Sequence, residues 1–112
     1  MDRPTLQSNI DPALIRFAER LEERIGAQAV FLFGSRARGE AHDDSDYDLI
    51  VVSPYFAALE QPRRAIGLRE YWHEVGGDGP MDLICLTPEE FALAQDRITL
   101  VAAVLPEAIG IL

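Results

Sequence analysis

Two short apolar runs, Val30-Phe31-Leu32-Phe33 and Leu49-Ile50-Val51-Val52, flank one of the most charged stretches of the chain. Each run suits a strand buried on both faces, and strands of that kind must pair inside a sheet. The intervening "GSRARGEAHDDSDYD" provides only about a dozen residues of connection. That is the lower limit for a parallel crossover and comfortable for antiparallel neighbours. In an antiparallel pair the end of the first strand and the start of the second share one sheet edge. Gly34-Ser35 is therefore expected beside Asp46-x-Asp48, with both aspartates on one face and Tyr47 on the other.

The rest of the chain supplies layers for this sheet. Asp11-Pro12 reads as a helix start, a capping acceptor followed by proline at the first helical position. Leu14, Phe17, Ala18, Leu21 and Ile25 then form an apolar stripe that Gly26 ends. Strands are expected over 28–33 and 46–52, and a second helix over 61–75 with Ala65, Leu68, Trp72 and Val75 inward. Gly76-Gly77-Asp78-Gly79-Pro80 breaks the chain before a third strand, Met81 to Leu86. Thr87-Pro88-Glu89-Glu90 is a capping box. The helix it opens carries Phe91, Ala94, Ile98, Val101 and Leu105, and its second half is apolar nearly all round. A chain end or another subunit is expected to cover that half, since it has too few polar positions for an ordinary surface helix. Pro106 disfavours its continuation, and Ile109 to Leu112 suits a short edge strand. The expected architecture is α/β (α+β), a small mixed sheet flanked by helices, in one domain spanning residues 1–112.

Charge narrows the function. The net charge is −9, which opposes nonspecific nucleic-acid binding through a basic face. All ten cations are arginine, so a Walker A lysine and Schiff-base chemistry are excluded. No Gly-x-Gly-x-x-Gly stretch offers a dinucleotide site. The lone cysteine, Cys85, lies in an apolar run and reads as core, as does Trp72. No apolar run is long enough to span a membrane, and the first residues lack signal-peptide character, so a cytoplasmic location is expected.

If the second strand, second helix and third strand form a right-handed βαβ unit, Asp82 joins Asp46 and Asp48 at the same edge. Three carboxylates so placed repel one another unless a cation lies between them, and Mg²⁺ with its preference for oxygen ligands resolves the conflict. Gly34 permits close backbone approach to an anion, and Ser35 to Arg38 is expected to open a short helical turn with free N–H groups. Phosphate beside carboxylates suggests phosphoryl or nucleotidyl transfer with two metal ions, which lie roughly 3.5–4 Å apart in such sites. Arg36 and Arg38 either contact phosphate or balance Glu40, Asp43 and Asp44. Those two aspartates and His42 read as loop residues, His73 as an exposed helix residue, Tyr47 as packing, and the charged face from Arg16 to Arg24 as solvated.

Gly34-Ser35, ten intervening residues and Asp46-x-Asp48 resemble the signature of the DNA polymerase β-like nucleotidyltransferases. The fuller Gly-Ser-Arg-Ala-Arg-Gly and Ser-Asp-Tyr-Asp-Leu strings resemble their minimal branch. The resemblance implies that Gly34 and Ser35 hold a triphosphate and that Asp46 and Asp48 ligate two Mg²⁺ ions. Asp82 would complete one metal site and help deprotonate the acceptor. It further implies an antitoxin that moves AMP from ATP onto a hydroxyl, typically a tyrosine, of a toxin containing a HEPN ribonuclease domain. A chain this short has no room for the extra substrate-holding domain of larger members, so a partner or a second copy would supply the missing wall. Two alternatives stay open: an antitoxin that neutralises by stoichiometric binding alone, and a transferase acting on a small molecule. The nucleotide, the acceptor hydroxyl and the oligomeric state are not legible in the residues.

Overall fold

The first helix, α1, begins where the side chain of Asp11 accepts the Ala13 N–H at 2.9 Å and runs over Pro12–Ile25, ending at Gly26 with φ 64°. The structure, a computed structural model, describes residues 10–39, 46–97 and 99–112, apart from the side chains of Ser35 and Arg38. Ile98, Glu40, His42, Asp43 and Asp44 therefore lie outside the described residues.

Strands β1 (Ala29–Phe33), β2 (Tyr47–Val52), β3 (Met81–Leu86) and β4 (Ile109–Gly110) form one sheet in the order β3-β2-β1-β4. β1 pairs antiparallel with β2, and β2 pairs parallel with β3, as the short and long connections require. β4 pairs antiparallel with β1 at one edge. The expected mixed sheet is present, with β1 and β2 each starting one residue later than the apolar pattern suggested.

Two cores form, one per sheet face. Alternation sends Val30, Leu32, Tyr47, Leu49, Val51, Met81 and Cys85 towards α1 and the helix α4 (Leu68–Glu74). Phe17 and Trp72 meet there edge to face, with ring centroids 5.6 Å apart. The opposite face carries Phe33, Ile50 and Val52 against Val101, Phe91 and Leu105. Burial pushes the Cys85 thiol up to about 12, in keeping with a structural cysteine.

Two expected helices are each divided. Residues 61–75 form α3 (Gln61–Arg64) and α4, separated by a turn through Gly67. The buried Arg64 draws α3 inward by donating to Leu59 O, Cys85 O and the Glu90 carboxylate, a tie that the apolar stripe alone does not reveal. The capping box is present: Thr87 Oγ1 accepts from Glu90 N and Glu90 Oε1 from Thr87 N. It opens α5 (Pro88–Gln95), which stops short of the apolar half. A separate helix, α6 (Leu100–Val104), starts at Thr99, whose side chain accepts from Ala102 N while donating to Ala94 O. That capping bond competes with helix continuation and turns the chain, which buries Val101 and leaves Leu100 exposed. The apolar half is thus covered in part by the sheet itself. The remaining helix is α2, a single turn over Ser35–Arg38 between β1 and β2.

Candidate active site

The site is built at the edge where β1 ends and β2 and β3 begin. Register aligns Phe33 with Asp48 and Asp48 with Asp82, so the two carboxylates stand side by side on adjacent parallel strands. Asp46 precedes β2 by one residue and is exposed, as is Asp82, while Asp48 is half-buried. All three occupy the expected edge, and both neighbours act on Asp48. Partial desolvation first, then the charges of Asp82 and Asp46, raise its pKa above the usual carboxylate value.

Gly34 closes the other side. Its φ is 77°, and a Cβ placed there would lie 2.4 Å from Asp48 Oδ2. The glycine therefore serves two needs at once: a left-handed turn out of β1 and room for the Asp48 carboxylate. α2 follows directly, with Ala37 N donating to Gly34 O at 3.1 Å.

The donor set fits a hard divalent cation, since it consists of carboxylate oxygens whose mutual repulsion a positive ion would relieve. Among the described residues no three His, Cys, Asp or Glu side chains are gathered closely enough to grip an ion unaided. The Asp48–Asp82 pair is thus an open arrangement, with Asp46 beside it rather than closed over it.

Tyr47 points to the opposite face, as strand alternation requires. Its hydroxyl donates to Asp11 Oδ2 at 2.9 Å, and its ring meets Trp72 edge to face at 5.2 Å. The Arg36 guanidinium lies over the same ring, 3.9 Å from its centroid. Arg36 therefore lies on the Tyr47 side of the sheet, away from the carboxylate row. Burial and the bond to Asp11 raise the Tyr47 pKa. Strand alternation assigns Tyr47 to packing, and the structure adds its contacts with Asp11 and Arg36. The charged face of α1 also does more than meet solvent: Arg16 donates to Val75 O at 3.0 Å and Arg20 pairs with Glu74, joining α1 to α4.

A mixed sheet with paired carboxylates against a glycine turn at one edge defines a scaffold suited to nucleotidyl transfer. The chain belongs to the nucleotidyltransferase domain family, whose model matches residues 14–104. Within that family it is similar to the minimal nucleotidyltransferases. It is 37% identical over 62 residues to the protein adenylyltransferase MntA of Thermococcus cleftensis, which is 55% of this chain and 60% of that relative. The likeness thus spans 60% of the relative's length, less than two thirds of it.

Solved structures agree on the fold. A protein of Sulfolobus solfataricus assigned as a nucleotidyltransferase superposes with a TM-score of 0.53 at 19% identity, covering 98% of this chain and 87% of its own. BolA1 of Arabidopsis thaliana superposes with a TM-score of 0.54 at 18% identity, over 72% of this chain and 98% of its own. At such identities the likeness concerns fold alone. Among the described residues no helix is long and apolar enough to cross a membrane.

Proposed function

We propose that this chain is a Mg²⁺-dependent protein adenylyltransferase. It moves AMP from ATP to a hydroxyl, a tyrosine by preference, of a cognate toxin of the HEPN class, and so acts as its antitoxin. The observation that carries the reading is the Asp48–Asp82 pair, aligned on adjacent strands against a glycine with no room for a Cβ. The protein-adenylyltransferase activity named for the Thermococcus relative supports the choice of acceptor.

In this reading Asp46, Asp48 and Asp82 hold two Mg²⁺ ions, and the Gly34–Ser35 turn, with Arg38 close behind it, holds the triphosphate. The bound ions supply positive charge to the phosphate oxygens and favour ionisation of the acceptor hydroxyl. In the same reading Asp82, exposed at the rim, accepts the hydroxyl proton. The acceptor oxygen bonds to the α-phosphorus as the bond to the bridging oxygen breaks, and pyrophosphate leaves. Much of the chemistry is then positioning and charge compensation, which suits a site made of backbone and carboxylates.

The test captures partners from native lysate on the parent and on Asp48→Asn, adds ATP and Mg²⁺, and reads intact masses. A captured protein should gain AMP with the parent. Transfer by Asp48→Asn should fall roughly 10²–10³-fold, the cost of removing one preorganised charge from a reacting centre. If both variants capture the same partner and neither changes its mass, neutralisation by binding alone replaces this reading.

A further inference from the structure

The short helix after Gly34 depends on the rest of the fold for its orientation. α2 is four residues long, about one turn, and one turn is not self-supporting in water. Its orientation must come from tertiary contacts, and two of them are described: Ala37 packed against the larger core and Arg36 stacked on Tyr47. Tyr47 in turn sits between Asp46 and Asp48 and is itself fixed from two sides, by the Asp11 carboxylate and the Trp72 ring. Its backbone N–H donates to Pro80 O at 3.0 Å, one residue before β3, on which Asp82 lies.

We propose that Arg36 and Tyr47 are a positioning pair for the transfer site. The guanidinium-on-ring contact ties the Gly34–Ser35 turn to the first residue of β2 and so sets the spacing between that turn and the carboxylates on the other face. Neither side chain touches the nucleotide; both act through the backbone that carries Gly34, Asp46 and Asp48. Arg36 is thereby assigned a role other than phosphate contact or balance of nearby acids. A cavity of about 160 Å³ beside Arg36, Asp11, Leu14 and Leu32 leaves space for altered side chains, so substitution at Arg36 is sterically mild.

The kinetic arm of the test rests on the proposed function; the spectroscopic arm does not. A double-mutant cycle combines Arg36→Gln with Tyr47→Leu, with Arg36→Lys and Tyr47→Phe as conservative partners. Each disruptive variant is expected to lower kcat about tenfold, since misplacement of about 1 Å costs roughly 10²-fold and the shift here is smaller. The double variant should be no worse than Tyr47→Leu alone, because the two residues act through one contact. Tyr47→Phe keeps the ring and should retain most of the rate, and KM for ATP should move less than kcat.

In ligand-free protein, Arg36→Gln should displace the amide resonances of Gly34 and Asp48, and Arg36→Lys should restore them. If the losses multiply in the double variant and KM for ATP rises instead, Arg36 contacts the nucleotide directly and the proposal fails. Unmoved Gly34 and Asp48 resonances in Arg36→Gln also overturn it, and that variant leaves the core untouched if Tyr47→Leu does not fold. If the parent transfers no AMP at all, the proposed function falls while the resonances still decide the positioning role.

Discussion

Gly34 shows how a single missing carbon can shape a site. An alanine there would adopt a left-handed conformation, which costs about 1–2 kcal/mol in an L-residue. Its Cβ would also meet Asp48 Oδ2 at 2.4 Å, so the carboxylate must move. Gly34→Ala should therefore lower stability by about 1–2 kcal/mol, yet reduce transfer more than that loss explains. Thermal melts alongside transfer rates, taken well below the melting temperature, check this; a rate that merely follows the folded fraction would sink it. At this scale the carboxylates and the glycine were legible, because spacing and strand alternation dictate where they fall. The Tyr47 contacts were not. Asp11 lies 36 residues away in sequence, and no local pattern links an N-cap to a strand that distant.

Among the elements, the strands and α1 matched their sequence signals closely, while the other long helices did not survive as single units. Periodicity records which face is apolar, but it does not record a competing cap. Thr99 looks like an ordinary helical residue until its side chain accepts from Ala102 N. Likewise the break at Gly67 accompanies the inward pull on Arg64, whose partners come from β3 and α5. Glu90 joins those elements, serving both the capping box and Arg64. Its carboxyl is held below the usual range, first by the hydrogen bond from Arg64 and then by the Thr87 backbone. A depressed carboxyl contributes stability above its unfolded pKa and loses it as pH falls through the folded value. Glu90→Gln should thus cost about 1 kcal/mol near neutrality, a modest figure because the side chain is 41% exposed. The difference from the parent should close as the pH drops below the lowered pKa of Glu90. Melting curves across acidic pH would show it, and a pH-independent gap would mean that the ionised carboxylate is not the source.

At the scale of the whole molecule the sheet is shared between two cores. The larger lies under α1 and α4; the smaller, under α5 and α6, is on the face that carries Asp48 and Asp82. Strand alternation requires this division, since β2 is apolar on both faces beyond its first two residues. The carboxylates gain rigidity from strands that are clamped from both sides, although the acids themselves stay near solvent. Such an arrangement predicts that the faces unfold together. Val101 is buried in the smaller core, and Val101→Ala removes about two methylene equivalents, or about 2 kcal/mol with the cavity included. Trp72, the chain's single tryptophan, reports from the larger core on the other face. If the sheet transmits the loss, the denaturant midpoint read from Trp72 fluorescence should fall with its slope unchanged. An unmoved midpoint would mean that the carboxylate face opens without the rest, and the site would then be built on a separately folding layer.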